Sequence, residues 1–192
     1  MFKITPSLYS TFAFWSSSEN DDDQELLDVL NRVKRPKTQD MIKGIEFETE
    51  IRNACSTLQL TGYNAIDEIA YACKGGEWQV PLSRKLSCDV EVHGIADVII
   101  PNHKIYDIKR VRNSSSYTLG KYMYSIQHLV YMFCSDIHDF EYLISDGTEV
   151  YREYYNFNDN ALDTLKQRVN SMIDTLLSIP KFRTPFVKNW KQ

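Results

Sequence analysis

The chain has 192 residues, 43% hydrophobic and 12% aromatic, enough for one sizeable core and too few for two full domains. A net charge of -4 argues against a nucleic-acid coat protein, but leaves room for an enzyme with a local basic surface. Cys55, Cys73, Cys88 and Cys134 form no C-x-x-C pair, so the common zinc and dithiol motifs are missing and free thiols are expected. No run approaches 18 apolar residues, and no cationic start precedes a long apolar stretch. Neither a membrane span nor a leader is therefore expected, and the expected location is the cytoplasm.

"SSSENDDDQ", residues 16–24, is a polar break that caps a helix from about Asp23, with Leu26, Leu27 and Leu30 on one side. A second break, "KRPK", precedes a long helix from Thr38. Met41, Ile42, Ile45, Phe47, Ile51 and Leu58 form its apolar stripe, and Gly62 ends it. Asn64 caps a shorter helix to about Cys73, stopped by Gly75-Gly76. Three antiparallel strands follow, about 78–86, 88–100 and 104–111, with Pro101-Asn102-His103 as a tight turn. "NSSS" at 113–116 caps a helix from Tyr117 to about Cys134. "FEYLISD" and "EVYREYYNF" make a hairpin around Asp146-Gly147, and a last helix runs from about Asp159 to Leu177. "FVKNWKQ" reads as a tail or a partner-docking segment. This order implies an α/β protein with one mixed sheet between helices, a three-layer α/β/α arrangement. It is read as one domain over 1–192, with a core of about 38–178 and an N-terminal helical segment 1–37.

Within the third strand, "IYDIKR" places Asp107 and Lys109 two residues apart, hence on one face of a largely apolar strand. A buried charge is costly unless it is paired or bound to a metal. Asp97 lies on the preceding strand, where a hairpin can bring it across from Asp107. Two such carboxylates repel unless one is protonated or a cation joins them, and hard divalent cations take oxygen ligands of this kind. A metal, two carboxylates and a lysine suit phosphodiester hydrolysis: the metal polarises a phosphoryl oxygen and the ammonium meets developing charge. An exposed edge strand with a surface ion pair is the competing reading of the triplet alone.

"GIADVII" followed by "KIYDIKR" resembles the core of the PD-(D/E)XK nucleases, in which an acid closes one strand and acid-x-lysine lies on the next. "YSIQHLVY" carries Gln127 and Tyr131, the Q-x-x-x-Y signature of the RecB-like and phage-type exonuclease branch. "ITPSLYSTFAFW" resembles the Ser-rich segment with which many members begin. "KGIEFETE" is similar to the first motif, a Gly followed four residues later by His or Glu, here Glu48, with Glu46 and Glu50 close by. The "PD" is relaxed to Ala96-Asp97, and the acid of acid-x-lysine is Asp.

The resemblance implies a restriction-endonuclease-like fold and Mg²⁺-dependent DNA cleavage, with Mn²⁺ able to substitute. Asp97, Asp107, Glu48 and the Ile108 carbonyl are the implied metal ligands. Lys109 is the implied catalytic lysine, and Gln127 holds its neighbours or a phosphate in place. Tyr131, Lys104, Arg110, Arg112 and Lys121, the last four a local basic excess, are expected to face DNA. No cysteine follows Cys134, so the iron–sulfur cluster of some relatives is not expected. The expected activity is an exonuclease acting on DNA with a free end, in recombination, repair or phage DNA metabolism of a bacterial or phage-infected cell. A recombination or helicase partner protein and oligomers fit this expectation. A structure-specific endonuclease and an inactive binding module of the same fold are the alternatives.

Overall fold

The computed structural model describes residues 1–18, 22–57, 61–113 and 117–192. In chain order the elements are β1 (Phe2–Ile4), α1 (Pro6–Ser17), α2 (Gln24–Leu30), α3 (Gln39–Thr57), α4 (Asn64–Ala72), β2 (Glu77–Lys85) and β3 (Val90–Ile100). Then come β4 (Lys104–Arg110), α5 (Gln127–Ser135), β5 (Asp139–Ser145), β6 (Val150–Asn156), α6 (Asp159–Ser178) and α7 (Pro180–Trp190). The six strands form one mixed sheet, ordered β1-β3-β4-β5-β6 with β2 also on β3. The β1/β3 and β4/β5 pairs are parallel and the others antiparallel.

Two apolar clusters, one on each face, make the three expected layers. The larger joins α1, α2, α5, α6 and α7 to the sheet, with Leu165, Val169, Met172 and Leu176 of α6 fully buried. These four recur at helical spacing, and each contributes roughly 1.5–3 kcal/mol of burial. The smaller cluster packs Phe47 and Ile51 of α3 and Ile66 and Ile69 of α4 on Val98, Tyr106 and Ile108. Met41, Ile42 and Ile45, expected in the α3 stripe, are exposed instead, because helix-to-sheet packing begins only at Phe47. Leu58 of that stripe, part of the acidic break and Ser114–Ser116 of the expected cap lie outside the described residues.

Other expectations are corrected. The helix expected from Tyr117 begins only at Gln127. Gly120 has φ +85°, a left-handed turn that interrupts a helix, and the preceding loop is held by Tyr122 stacked on Tyr142 at 4.6 Å. Asn64 is a helical residue, and the cap position is Tyr63, with no side-chain capping bond. The C-terminal segment is α7, which buries Phe182, Phe186 and Trp190 at four-residue spacing. Phe186 stacks on Phe2 at 4.8 Å, so the two ends of the chain pack together. The N-terminal segment is more than helical, since β1 joins the sheet beside Val90–Val92. No described helix is long and apolar enough to cross a membrane.

Candidate active site

β3 is the strand that builds the site. β2 pairs along it from Glu91 to Ile99 on one edge. A strand has two edges, so β1 at 90–92 and β4 at 98–100 must share the other. Between them, residues 93–97 face a gap in the sheet. Tyr131 of α5 fills it: its ring lies where a Cβ on Gly94 would collide with Cε1, and its hydroxyl accepts from the Ile95 N–H. Glycine is needed at 94 for this close approach.

At the β4 side of the gap, continuing the Val98↔Tyr106 register by one step sets Asp97 opposite Asp107. The strands part there, and Asp97 Oδ2 accepts from the Ile108 N–H at 2.9 Å in place of a ladder bond. Asp107 is fully buried, and Lys109 Nζ lies 2.5 Å from its Oδ1. Gln127 Nε2 donates to Asp107 Oδ2 at 2.6 Å and to the Tyr131 hydroxyl at 3.0 Å, so both amide protons are used. Because α5 starts at Gln127, that amide sits in its first turn, at the positive end of the helix dipole. Ile108 points the other way, into the smaller cluster, as strand alternation requires.

The electrostatics are those of too many acids in a dry place. Burial first, then the Asp107 carboxylate, pushes Asp97 up to about 8. Burial also raises Asp107, although Lys109 and Gln127 oppose it. Burial disfavours the Lys109 ammonium, but Asp107 and Asp97 outweigh it and hold the group charged. Glu48, half-buried on α3, is raised by burial against a hydrogen bond from Gln79.

The sequence does not reveal Gln79. It stands on β2 with φ +53°, a left-handed backbone that costs a non-glycine residue roughly 1 kcal/mol or more. Its Nε2 donates to Glu48 Oε1 at 2.5 Å and to Asp97 Oδ1 at 3.3 Å. Gln79 thereby links Glu48 to the carboxylates of the sheet, while Glu46 and Glu50 are exposed on other faces of α3.

A cleft of about 690 Å³ opens beside Lys109, Gln127 and Tyr131. Ser7 and Ser10 at the start of α1 and Lys121, Tyr122 and Tyr124 of the loop also line it. The structure does not bring the other basic residues there. Lys104 and Arg110 have the parity of Ile108, not of Lys109. Lys104 Nζ is bound to buried Glu141 at 3.0 Å, and Arg110 lines a separate groove under α3 with Lys43. Arg112 lies past the strand, with Nε 3.0 Å from both oxygens of Asp40.

Among the described residues, no three carboxylate, imidazole or thiol groups already converge as a metal cage. A small hard cation does not need one, since Mg²⁺ is held by one or two carboxylates and several waters. The buried Asp107 Oδ1 has the Lys109 ammonium against it but no aligned hydrogen-bond donor, and a carboxylate oxygen keeps a further lone pair that such a cation takes up. Asp97, Asp107 and the Ile108 carbonyl therefore fit the group that the sequence implies, with Glu48 nearby through Gln79.

Comparison with solved structures gives the architecture a parallel. A putative exonuclease from Eubacterium rectale aligns with a TM-score of 0.59 at 16% identity, over 92% of this chain and 80% of its own. The alkaline exonuclease from Laribacter hongkongensis in complex with dAMP gives 0.59 at 14%, over 92% and 88% of the two chains. The phage-related exonuclease from Haemophilus somnus 129PT gives 0.54 at 15%, over 92% and 95%. No family model matches the chain, and no curated protein matches it. The parallel is thus one of fold, carried by shape at low sequence identity.

Proposed function

We propose that this chain is a metal-dependent deoxyribonuclease, an exonuclease that hydrolyses phosphodiester bonds from a DNA end. One observation carries the reading: where β3 and β4 part, Asp97 is bonded to the Ile108 N–H beside Asp107, with Lys109 against Asp107 at the edge of an open cleft. The three similar solved structures described above are named exonucleases, and one holds dAMP, which supports the same substrate class.

Asp97, Asp107 and the Ile108 carbonyl hold Mg²⁺ or Mn²⁺, with Glu48 as a further carboxylate. The bound cation supplies Lewis acidity toward a phosphoryl oxygen and toward water. Lys109 keeps its proton because two carboxylates face it, so its ammonium offsets negative charge that develops on the phosphate. Gln127 is not a proton carrier. It fixes Asp107 and ties it to Tyr131, so a shift in α5 becomes a shift in the site. Lys121 and the serine hydroxyls along the cleft offer phosphate contacts next to Lys109.

The test uses end-labelled linear duplex and closed circular duplex, each with Mg²⁺ or with EDTA. Digestion of the linear form alone, lost in EDTA and in Asp107→Asn, is expected. Nicking of the circle would make the protein an endonuclease. Binding without cleavage of either form would make it an inactive module.

A further inference from the structure

Gln79 combines a strained backbone with two hydrogen bonds to site carboxylates, and the surrounding sheet explains the strain. Strict alternation would keep Val92, Ala96 and Val98 on one face of β3. Instead Val92 and Ala96 pack into the larger cluster and Val98 into the smaller one on the opposite face. β2 does the same: Val80 and Leu82 lie against the larger cluster, Trp78 against the smaller. Both strands therefore exchange faces at one rung, Gln79 opposite Asp97, between the paired rungs Trp78↔Val98 and Val80↔Ala96. The exchange turns Asp97 toward the gap in the sheet, and on β2 it requires φ +53°.

Glycine takes that backbone without strain. A glycine there would, however, leave Glu48 and Asp97 with nothing between them. The side chain present is a neutral amide whose Nε2 reaches Glu48 Oε1 at 2.5 Å and Asp97 Oδ1 at 3.3 Å. A lysine in its place would bring its own positive charge and compete with a cation. An amide donor occupies one lone pair on each carboxylate and leaves others free.

Building on the reading of this site as a cation site, we propose that Gln79 is its positioning residue. Its amide holds Glu48 and Asp97 turned toward one point against their mutual repulsion, so that a divalent cation meets an assembled set of oxygens. Partners that hydrogen-bond metal-ligating carboxylates fix ligand orientation, and their loss lowers metal affinity.

The experiment is calorimetric titration of the full chain with Mn²⁺, alongside thermal melting, for the parent, Gln79→Gly, Gln79→Met and Asp107→Asn. Gln79→Gly relieves the strained backbone and removes the amide. Gln79→Met keeps the side-chain length and removes the amide. Both are expected to bind Mn²⁺ roughly tenfold more weakly than the parent. The melting temperature of Gln79→Gly is expected to stay at or above the parent value, a combination that a purely structural role would not give. Parent-like Mn²⁺ affinity in both Gln79 variants, with binding lost in Asp107→Asn, would overturn the role of Gln79 and leave the cation site standing. Tighter binding in both would also overturn it, because the amide would then be blocking the cation. No Mn²⁺ binding by the parent would overturn the cation site and the role of Gln79 together.

Discussion

Two carboxylates lie deep in the middle of the sheet on adjacent strands, and their neighbours treat them in opposite ways. Glu141 of β5 is 1% exposed, and each of its oxygens has a donor, Arg152 Nη1 at 2.8 Å and Lys104 Nζ at 3.0 Å. Arg152 also reaches Glu68 of α4 at 2.9 Å, so two acids meet two bases. Asp107 of β4 is 0% exposed, yet only Oδ2 has a well-aligned donor. Around it Asp97, Asp107 and Glu48 crowd the Lys109 ammonium, with Arg52 acting on Glu48 alone. The first cluster is closed and ties the sheet to α4. The second crowds more acids than bases beside an open cleft, and burial pushes all three acids toward their protonated forms. Burial of a charge is common to both, and what distinguishes a site is the part left unbalanced.

Neutralising the two carboxylates should therefore have opposite results. Asp107→Asn is expected to lower the DNA cleavage rate on the order of 10⁴-fold, about 5 kcal/mol in the barrier. The same change should not lower the melting temperature of the metal-free protein, because it removes repulsion. Glu141→Ala should do the reverse. It strands Lys104 and Arg152 at a buried position and should cost about 3–5 kcal/mol in urea unfolding, with the cleavage rate per folded molecule little changed. Equal stability losses in the two variants would erase the distinction between the clusters.

A third buried ionisable group, His128, sharpens the contrast by being kept neutral. Burial, then the charge of Arg168, lowers it from 6.5 to about 3, and its ring stacks on Tyr155 at 4.1 Å. Below pH 6.5 the unfolded chain takes up a proton that the folded chain does not, so stability from this group is lost as pH falls from 6.5 toward 3. At pH 5 the loss is about 2 kcal/mol. His128→Phe keeps a ring in the stack and should flatten the fall in stability between pH 7 and 5, measured by urea unfolding. The smallest expected effect on cleavage is structural: Gly94→Ala pushes on Tyr131, costs about 1–3 kcal/mol, and slows cleavage through Gln127 while leaving the Glu141 cluster untouched.

The hairpin carrying Asp97 and Asp107 was legible because strand period, a Pro-Asn turn and β-branched runs all act locally. The Gln127–Tyr131 pair was legible as spacing on one helix face, although that helix begins ten residues later than expected, at Gln127 and not Tyr117. The glycine at 120 was the overlooked sign. The basic stretch misled because nearness along a strand is not nearness in space: Lys104 and Arg110 alternate away from Lys109. β1 is three residues long and exists only through its pairing with β3, so no local pattern marks it. α7 had a signal in Phe182, Phe186 and Trp190, masked by Pro180 and Pro185. Gln79 had none, since a left-handed residue within a strand arises from the strands exchanging faces, a tertiary event.

The central claim is that the charge imbalance around Asp107 is a place for a divalent cation. The most direct measurement is the melting temperature of metal-free protein as Mg²⁺ is added, for the parent and for Asp107→Asn. A cation that binds only the folded chain raises the parent's melting temperature progressively with concentration. The variant should start at or above the metal-free parent and stay flat. A flat parent curve, or a variant that rises in step with the parent, would contradict the claim.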